Sequence, residues 1–143
     1  MKCEVIIEEN SCEKVVIYAK KRTQLVDMIE KLCADDDLVL MGYKDKQTFV
    51  LDPLQINCFM VESDKVYAIC DEGRYQIKAR LYQIEEQLSD NFIKINQSCV
   101  ANIKKIKRFD ASVSGVLIVY FQSGYRDYVS RRNLKNVKQK LGL

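Results

Sequence analysis

The stretch Phe92-Ile93-Lys94-Ile95-Asn96-Gln97-Ser98-Cys99-Val100-Ala101-Asn102-Ile103-Lys104-Lys105-Ile106 decides how this chain is read. Phe92 to Ile95 is rich in apolar strand-forming residues and predicts a strand. Asn96-Gln97-Ser98 interrupts it with three polar residues. Two readings stay open for that interruption. It is a turn whose side chains satisfy their own backbone, or it presents a carboxamide, one donor beside one acceptor, to the major-groove edge of adenine. A second strand is predicted from Ile103 to Phe109, carrying Lys104, Lys105 and Lys107.

Outward from this core the pattern is one of many short strands. Toward the N-terminus, Leu38 to Tyr43 and Gln47 to Leu51 flank the hairpin turn Lys44-Asp45-Lys46, and Ile56 to Glu62 and Val66 to Cys70 flank Ser63-Asp64-Lys65. Arg74 to Ala79 follows the turn Asp71-Glu72-Gly73, and Leu81, Ile84 and Leu88 mark a short helix. Toward the C-terminus, Val116 to Phe121 and Tyr125 to Val129 are joined through Gln122-Ser123-Gly124. A closing helix runs from Ser130 to Leu141, with the stripe Leu134, Val137, Leu141 and Gly142 as its stop. Before residue 37 the β-branched runs 2–8 and 14–20 predict two strands around a Glu-Asn-Ser turn, and Leu25, Met28, Ile29 and Leu32 share one helical face. Asp35-Asp36-Asp37 reads as a linker, so the expected organisation is a β-β-α extension over 1–37 and a second domain over 38–143. The expected class is α+β, dominated by strands.

Charge is divided unevenly. Residues 92–143 hold eleven Lys/Arg against two acids, a formal charge of +9, whereas residues 1–90 hold twelve against eighteen, or −6. A clustered cationic region is the footprint of a phosphate-backbone binder; the competing reading is a basic solvated surface. The chain has no histidine and no tryptophan, its five glycines are spread singly, and no nucleophile stands beside a base. An enzyme is therefore not expected, nor any catalytic residue, cofactor or small-molecule substrate. Six cysteines (Cys3, Cys12, Cys33, Cys58, Cys70, Cys99) are scattered without a Cys-x-x-Cys pair, which argues against a metal site. They read as small apolar residues of a reducing compartment. With no signal-peptide core and no run long enough to span a membrane, a cytoplasmic protein is expected.

The closing helix carries the clearest binding signal. Ser130 is a natural N-cap, and the helix start offers unpaired N–H groups and the positive end of the dipole to a phosphate. Arg131, Lys135 and Lys138 fall on a face opposite the apolar stripe. Arg132 lies off that face, placed to reach a base edge, where arginine gives a bidentate contact to guanine that lysine imitates less well.

These residues resemble the LytTR DNA-binding domain. Phe92 to Ile106 is similar to that family's F-x-x-x-x-x-S-x-x-x-N-x-x-x-I core, with Ser98 and Asn102 at its fixed positions. Val129-Ser130-Arg131-Arg132 resembles its motif at the start of the last helix, Phe59-Met60-Val61-Glu62-Ser63 its Y-I-E-x strand, and Leu81 to Leu88 its short helix. The likeness covers roughly residues 38 to 143. It implies several small, mostly antiparallel sheets with short helices, and binding of promoter DNA in successive major grooves through loops and the start of the last helix. Carried over, the contacts fall on Lys65 (with Asp64 or Val66 as register alternatives), on Asn96 and Gln97, and on Arg132 with Arg131. Ser98, Asn102 and Ser130 complete the motif-borne set, Lys135 joins it from the cationic face of the last helix, and Lys104, Lys105 and Lys107 join it by charge as phosphate contacts. The turn before Ser98 is Asn-Gln, where relatives often place a basic residue or histidine.

The implied protein is a bacterial transcriptional regulator that binds double-stranded DNA. Relatives often carry a receiver domain of about 120 residues; only about 37 residues precede the match here, so control by aspartate phosphorylation of this chain is not expected. The N-terminal segment resembles the extension of stand-alone regulators, which are often controlled by a membrane protein or by their own abundance. A homodimer is expected, through a Val15–Ala19 strand edge and the Leu25/Met28/Ile29/Leu32 face. Two alternatives belong to other classes: a protein-interaction adaptor that uses the acidic N-terminal part, and a thiol redox sensor using Cys58, Cys70 or Cys99.

Overall fold

The computed structural model describes residues 2–9, 14–34, 39–112 and 114–143. The chain separates into two compact units, Met1–Asp37 and Leu38–Leu143.

Among the described residues of the first unit, the one regular element is the helix α1 (Gln24–Ala34). Arg22 bridges Asp27 and Glu30 across its first turns. The two strands expected over 2–8 and 14–20 are not present: residues 2–8 and 14–19 carry no strand. A β-branched run forms a strand only when a partner takes up its backbone groups and one of its faces. Val5, Ile6, Ile7, Val15, Val16 and Tyr18 instead remain exposed. The expected Glu-Asn-Ser turn falls partly, and the Asp35–Asp37 linker wholly, outside the described residues.

The second unit is built on antiparallel pairing throughout. Its elements are β1 (Leu40–Lys44), β2 (Gln47–Leu51), β3 (Ile56–Glu62), β4 (Lys65–Cys70), β5 (Gly73–Ile77), α2 (Leu81–Gln87), β6 (Phe92–Asn96), β7 (Cys99–Asn102), β8 (Ile106–Ala111), β9 (Leu117–Phe121), β10 (Arg126–Val129) and α3 (Arg131–Leu141). They gather into a seven-stranded sheet of order β2-β1-β5-β4-β3-β7-β6 and a three-stranded sheet β10-β9-β8. The strand-rich α+β class expected from the sequence is what forms.

The large sheet is buried on both faces. One core cluster joins Phe59, Ala68, Val100, Ile77 and Leu40 to Leu81 and Ile84 of α2. The other joins Cys58, Ile69, Ile93, Ile95, Cys99 and Ala101 to Val119 and Phe121 of the small sheet and Val137 of α3. Successive residues of one strand therefore enter different cores. This explains why Ile56 to Phe59 and Cys99 to Asn102 are buried without a break and show no polar alternation.

Two hairpins close on non-glycine residues in the left-handed region, Asp45–Lys46 (φ 51° and 63°) and Ser63–Asp64 (φ 51° and 61°). Two consecutive positive φ values match the right-handed twist of the flanking strands. At Gly42 close packing decides the residue. A Cβ there would lie 2.6 Å from Leu51 Cδ1 and 2.8 Å from Tyr75 Cβ.

Candidate DNA interface

Strand direction sorts the expected site residues into two groups at opposite ends of the large sheet. β3 pairs with β7 in the register Met60↔Cys99, and Val61 N–H donates to the Ser98 carbonyl at 2.8 Å. The Ser63–Asp64 turn, followed by Lys65, therefore lies beside the Gln97–Ser98 turn. β6 leads into that turn, and the Ile95 carbonyl accepts from Ser130 N–H at 2.8 Å. The start of α3 is thus fastened to the same edge. Lys65, Gln97, Ser98, Arg131, Arg132 and Lys135 are exposed there, and Ser130 is half-buried.

The start of α3 is electrostatically unusual. Ser130 Oγ accepts from Asn133 N–H at 3.4 Å and from its Nδ2 at 2.8 Å. The first turn holds no acid and opens with two arginines. Cations at the positive end of a helix dipole each cost about 0.3–1 kcal/mol, which an anion at that position would offset. Among the described residues, ion pairs engage Arg22, Arg74, Lys105 and Arg108, and none engages Lys65, Arg131 or Arg132. The helix is held by Val137, fully buried, with Leu134 and Leu141 beside it. It ends at Gly142 in the left-handed region (φ 70°), with Leu143 N–H bonded to the Lys138 carbonyl at 2.9 Å.

Lys104 and Lys105 are not part of this surface. β7 runs away from the Gln97–Ser98 turn, and its four residues carry the chain about 13 Å to the far end of the sheet. There a single 3₁₀ turn, Ile103–Lys105, replaces the first half of the expected Ile103–Phe109 strand. Lys105 Nζ lies 3.4 Å from Asp71 Oδ2, its side chain only 16% exposed. Asn57, fully buried, donates to Asp71 at 2.9 Å and accepts from Ser123 N–H at 3.0 Å. Asn57 and Lys105 thus tie these turns together, and the Asn57 hydrogen bond, with Lys105 beside it, holds the Asp71 carboxyl below its ordinary range. Lys107 follows at the start of β8, beside Ile106, which pairs with Phe121 at this same end.

Asn96 and Asn102 are corrected as well. Asn96 is 3% exposed and Asn102 is 1% exposed. Asn102 donates to the Ile56 carbonyl at 2.9 Å and accepts from Lys104 N–H at 3.1 Å. Both amides are consumed by the protein, and neither has an edge left for a base. Gln97 is the exposed carboxamide of the turn.

Sequence reasoning missed Asp127, which anchors this turn. Its Oδ1 accepts from Asn96 Nδ2 at 3.0 Å and its Oδ2 from Tyr125 OH at 3.0 Å. Asp127 looked like one of two acids in a basic tail, and only the packing of β10 against β6 brings it to Asn96.

Thiol chemistry finds little support. Cys58 and Cys99 are fully buried. A hydrogen bond with Cys58, together with burial, pushes the Cys99 thiol well above its usual range. Burial, with Glu72 and Asp71 nearby, pushes Cys70 up to about 11. A protonated, enclosed thiol is a poor nucleophile. No metal-binding cluster of His, Cys, Asp or Glu occurs among the described residues, and no helix among them is long and apolar enough to cross a membrane.

Comparison with known proteins agrees with this architecture. The solved LytTr DNA-binding domain of a Bacillus cereus response regulator superposes with a TM-score of 0.69 at 20% identity, covering 73% of this chain and 97% of that one. An uncharacterised HTH-type transcriptional regulator of Staphylococcus aureus strain NCTC 8325 is 31% identical over 146 residues, all of this chain and 99% of the relative. Its counterpart in strain MRSA252 matches equally, at 31% and the same coverage. No two helices described in this chain are consecutive elements joined by a short turn, so α3 does not sit in a helix-turn-helix. The family model of the LytTr DNA-binding domain matches residues 46–142. With the strand order, the convergent turns and the basic helix start, that match places this chain in the LytTR family, as a bacterial DNA-binding transcriptional regulator.

Proposed function

We propose that this regulator reads double-stranded DNA in successive major grooves through one end of its large sheet. Gln97 and Arg132 read base edges, and Lys65, Ser98, Arg131, Ser130 and Lys135 take phosphates. The observation that carries the reading is the convergence of three chain segments, 63–65, 97–98 and 130–135, on a single edge. Phosphate contacts supply affinity and a few side chains supply sequence. With on the order of 6–10 phosphate contacts, affinity falls about 10³-fold or more between 50 and 200 mM salt. Selection from a random duplex pool, followed by anisotropy titration at several salt concentrations, tests this. A flat salt response, or a pool that never converges, ends the proposal.

We also propose a cytoplasmic homodimer assembled through the first unit. Leu25, Met28 and Leu32 of α1 are 43%, 61% and 70% exposed, and Val5, Ile6 and Ile7 more so. Apolar surface of this density marks protein contact. A second copy would also offer a strand edge to residues 2–7 and 14–19, which carry no strand. Two modules then meet half-sites about one helical turn apart. Sedimentation equilibrium of wild type against Met28→Glu/Leu32→Glu decides the point, and a monomeric wild type at tens of micromolar refutes it.

A further inference from the structure

Between the two segments proposed to read bases lies a short chain of hydrogen bonds centred on side chains that are not proposed to touch DNA. Asn96 Nδ2 donates to Asp127 Oδ1 at 3.0 Å and to the Tyr128 carbonyl at 2.9 Å. Asn96 Oδ1 accepts from Ser98 N–H at 2.8 Å. Tyr128 N–H donates back to Asp127 Oδ1 at 2.8 Å, and Tyr125 OH donates to Oδ2 at 3.0 Å. The Asp127 carboxylate and the Tyr128 carbonyl are both acceptors only. They therefore admit one orientation of the Asn96 amide, with its NH₂ toward β10 and its oxygen toward Ser98. That oxygen shapes the turn from which Gln97 projects. Tyr128 is two residues before Ser130, whose N–H is bonded to Ile95. The same carboxylate thus fixes the turn and registers it against the start of α3.

A carboxylate near a phosphate-binding edge opposes anion binding by Coulomb repulsion. Its charge adds nothing to affinity there, and its geometry is what the neighbouring groups use. We propose that Asp127 is a positioning residue for sequence discrimination: by orienting Asn96 it holds Gln97 at a fixed place relative to Arg132. It acts through shape and hydrogen-bond direction, not through its charge. This deepens the DNA-reading proposal and rests on it.

The test pairs two conservative changes with opposite character. Asp127→Asn keeps the length and an acceptor oxygen but loses the charge. Asp127→Glu keeps the charge but moves the carboxylate by one methylene, so that it cannot serve Asn96, Tyr125 and Tyr128 together. The readout is the ratio of affinities for the duplex enriched by wild type and for a scrambled duplex of the same length. Hydrogen exchange of the Ser98 amide reports the turn directly. Asp127→Glu is expected to lower the ratio about tenfold, the factor that one misplaced buried hydrogen bond is worth, and to speed Ser98 exchange. Its affinity for the scrambled duplex stays at the wild-type level. Asp127→Asn is expected to keep the ratio and the slow exchange, with equal or tighter binding to both duplexes. Tyr125→Phe, which spares the Asn96 bond, keeps the ratio too. If Asp127→Glu discriminates like wild type, or Asp127→Asn falls with it, the positioning role is overturned while DNA reading stands. If wild type itself shows no discrimination, DNA reading falls first and this role with it.

Discussion

Replacing Asn102 by alanine separates a structural amide from a DNA-reading one. Asn102 occupies a fixed position of the family-like core string and stood among the expected DNA contacts, yet it is 1% exposed. Its Nδ2 donates to the Ile56 carbonyl at 2.9 Å and its Oδ1 accepts from Lys104 N–H at 3.1 Å. Alanine leaves both partners without this bond, in a region where Ile56 is fully buried. Each buried group so stranded costs about 1–3 kcal/mol, and water reaches Lys104 more easily than Ile56, so a total of about 2–4 kcal/mol is expected. For a unit of this size that moves a urea midpoint down by about 1–2 M with m unchanged, and the melting temperature by about 10 °C. A domain stable by about 5–15 kcal/mol stays folded at 25 °C after such a loss. DNA affinity at 25 °C is then within about twofold of wild type. The assay is a urea melt beside an anisotropy titration on the same preparation. An unchanged midpoint with a tenfold loss of DNA affinity would refute the reasoning, because the side chain would then reach DNA and not the Ile56 carbonyl.

Four further outcomes follow from the same geometry. Arg132→Ala should cost about 1–3 kcal/mol on the enriched duplex and relax preference at one base pair, whereas Lys104→Ala, at the far end of the sheet, should change affinity by less than about 0.5 kcal/mol in the same titration; equal losses would undo the division of the two ends. Iodoacetamide should label Cys3 and Cys33, which are exposed, long before Cys58 and Cys99, which open only with the fold; peptide mapping after timed quenching reads this, and early labelling of Cys99 contradicts it. Cys70 has its pKa raised from 9.0 to about 11, so the folded state holds its proton longer than the unfolded one; the stability this gives is intact below pH 9 and is lost as pH rises from about 9 to 11, an effect that Cys70→Ala should remove from the pH series of urea midpoints. Gly42→Ala should destabilise by about 1–3 kcal/mol in thermal melts, because the Cβ has to displace Leu51 and Tyr75.

How far the fold was legible depended on whether an element has one wet face. Strands such as β2 and β9 stood out as short apolar-rich runs closed by turn residues, and α3 through its amphipathic period, and their bounds match the expectation closely. Strand β7 did not, because Cys99 to Asn102 is buried throughout and leaves no alternation to read. The opposite error fell on residues 2–8 and 14–20. Their composition favours strands, but 2–8 and 14–19 carry no strand in the structure. The site divided along the same line. Gln97, Arg131 and Arg132 have short-range reasons to face outward, a turn tip and a helix start. Asn96 is one residue from Gln97 yet belongs to the interior, since it pairs with Asp127, thirty-one positions on. Lys104 and Lys105 joined the candidate set because charge was counted along the chain, and charge in sequence carries no direction in space.

Local chemistry alone settled the β-dominated class, the turn at Gln97, the Ser130 cap and the basic helix start that follows it, because each is written within a few consecutive residues. Which cations share a surface and which amides are spent inside were decided by antiparallel pairing, and what Asp127 holds by the packing of the small sheet against β6. Pairing sends every second turn to the opposite end of a sheet, and the register that fixes those ends is a property of strands distant in sequence.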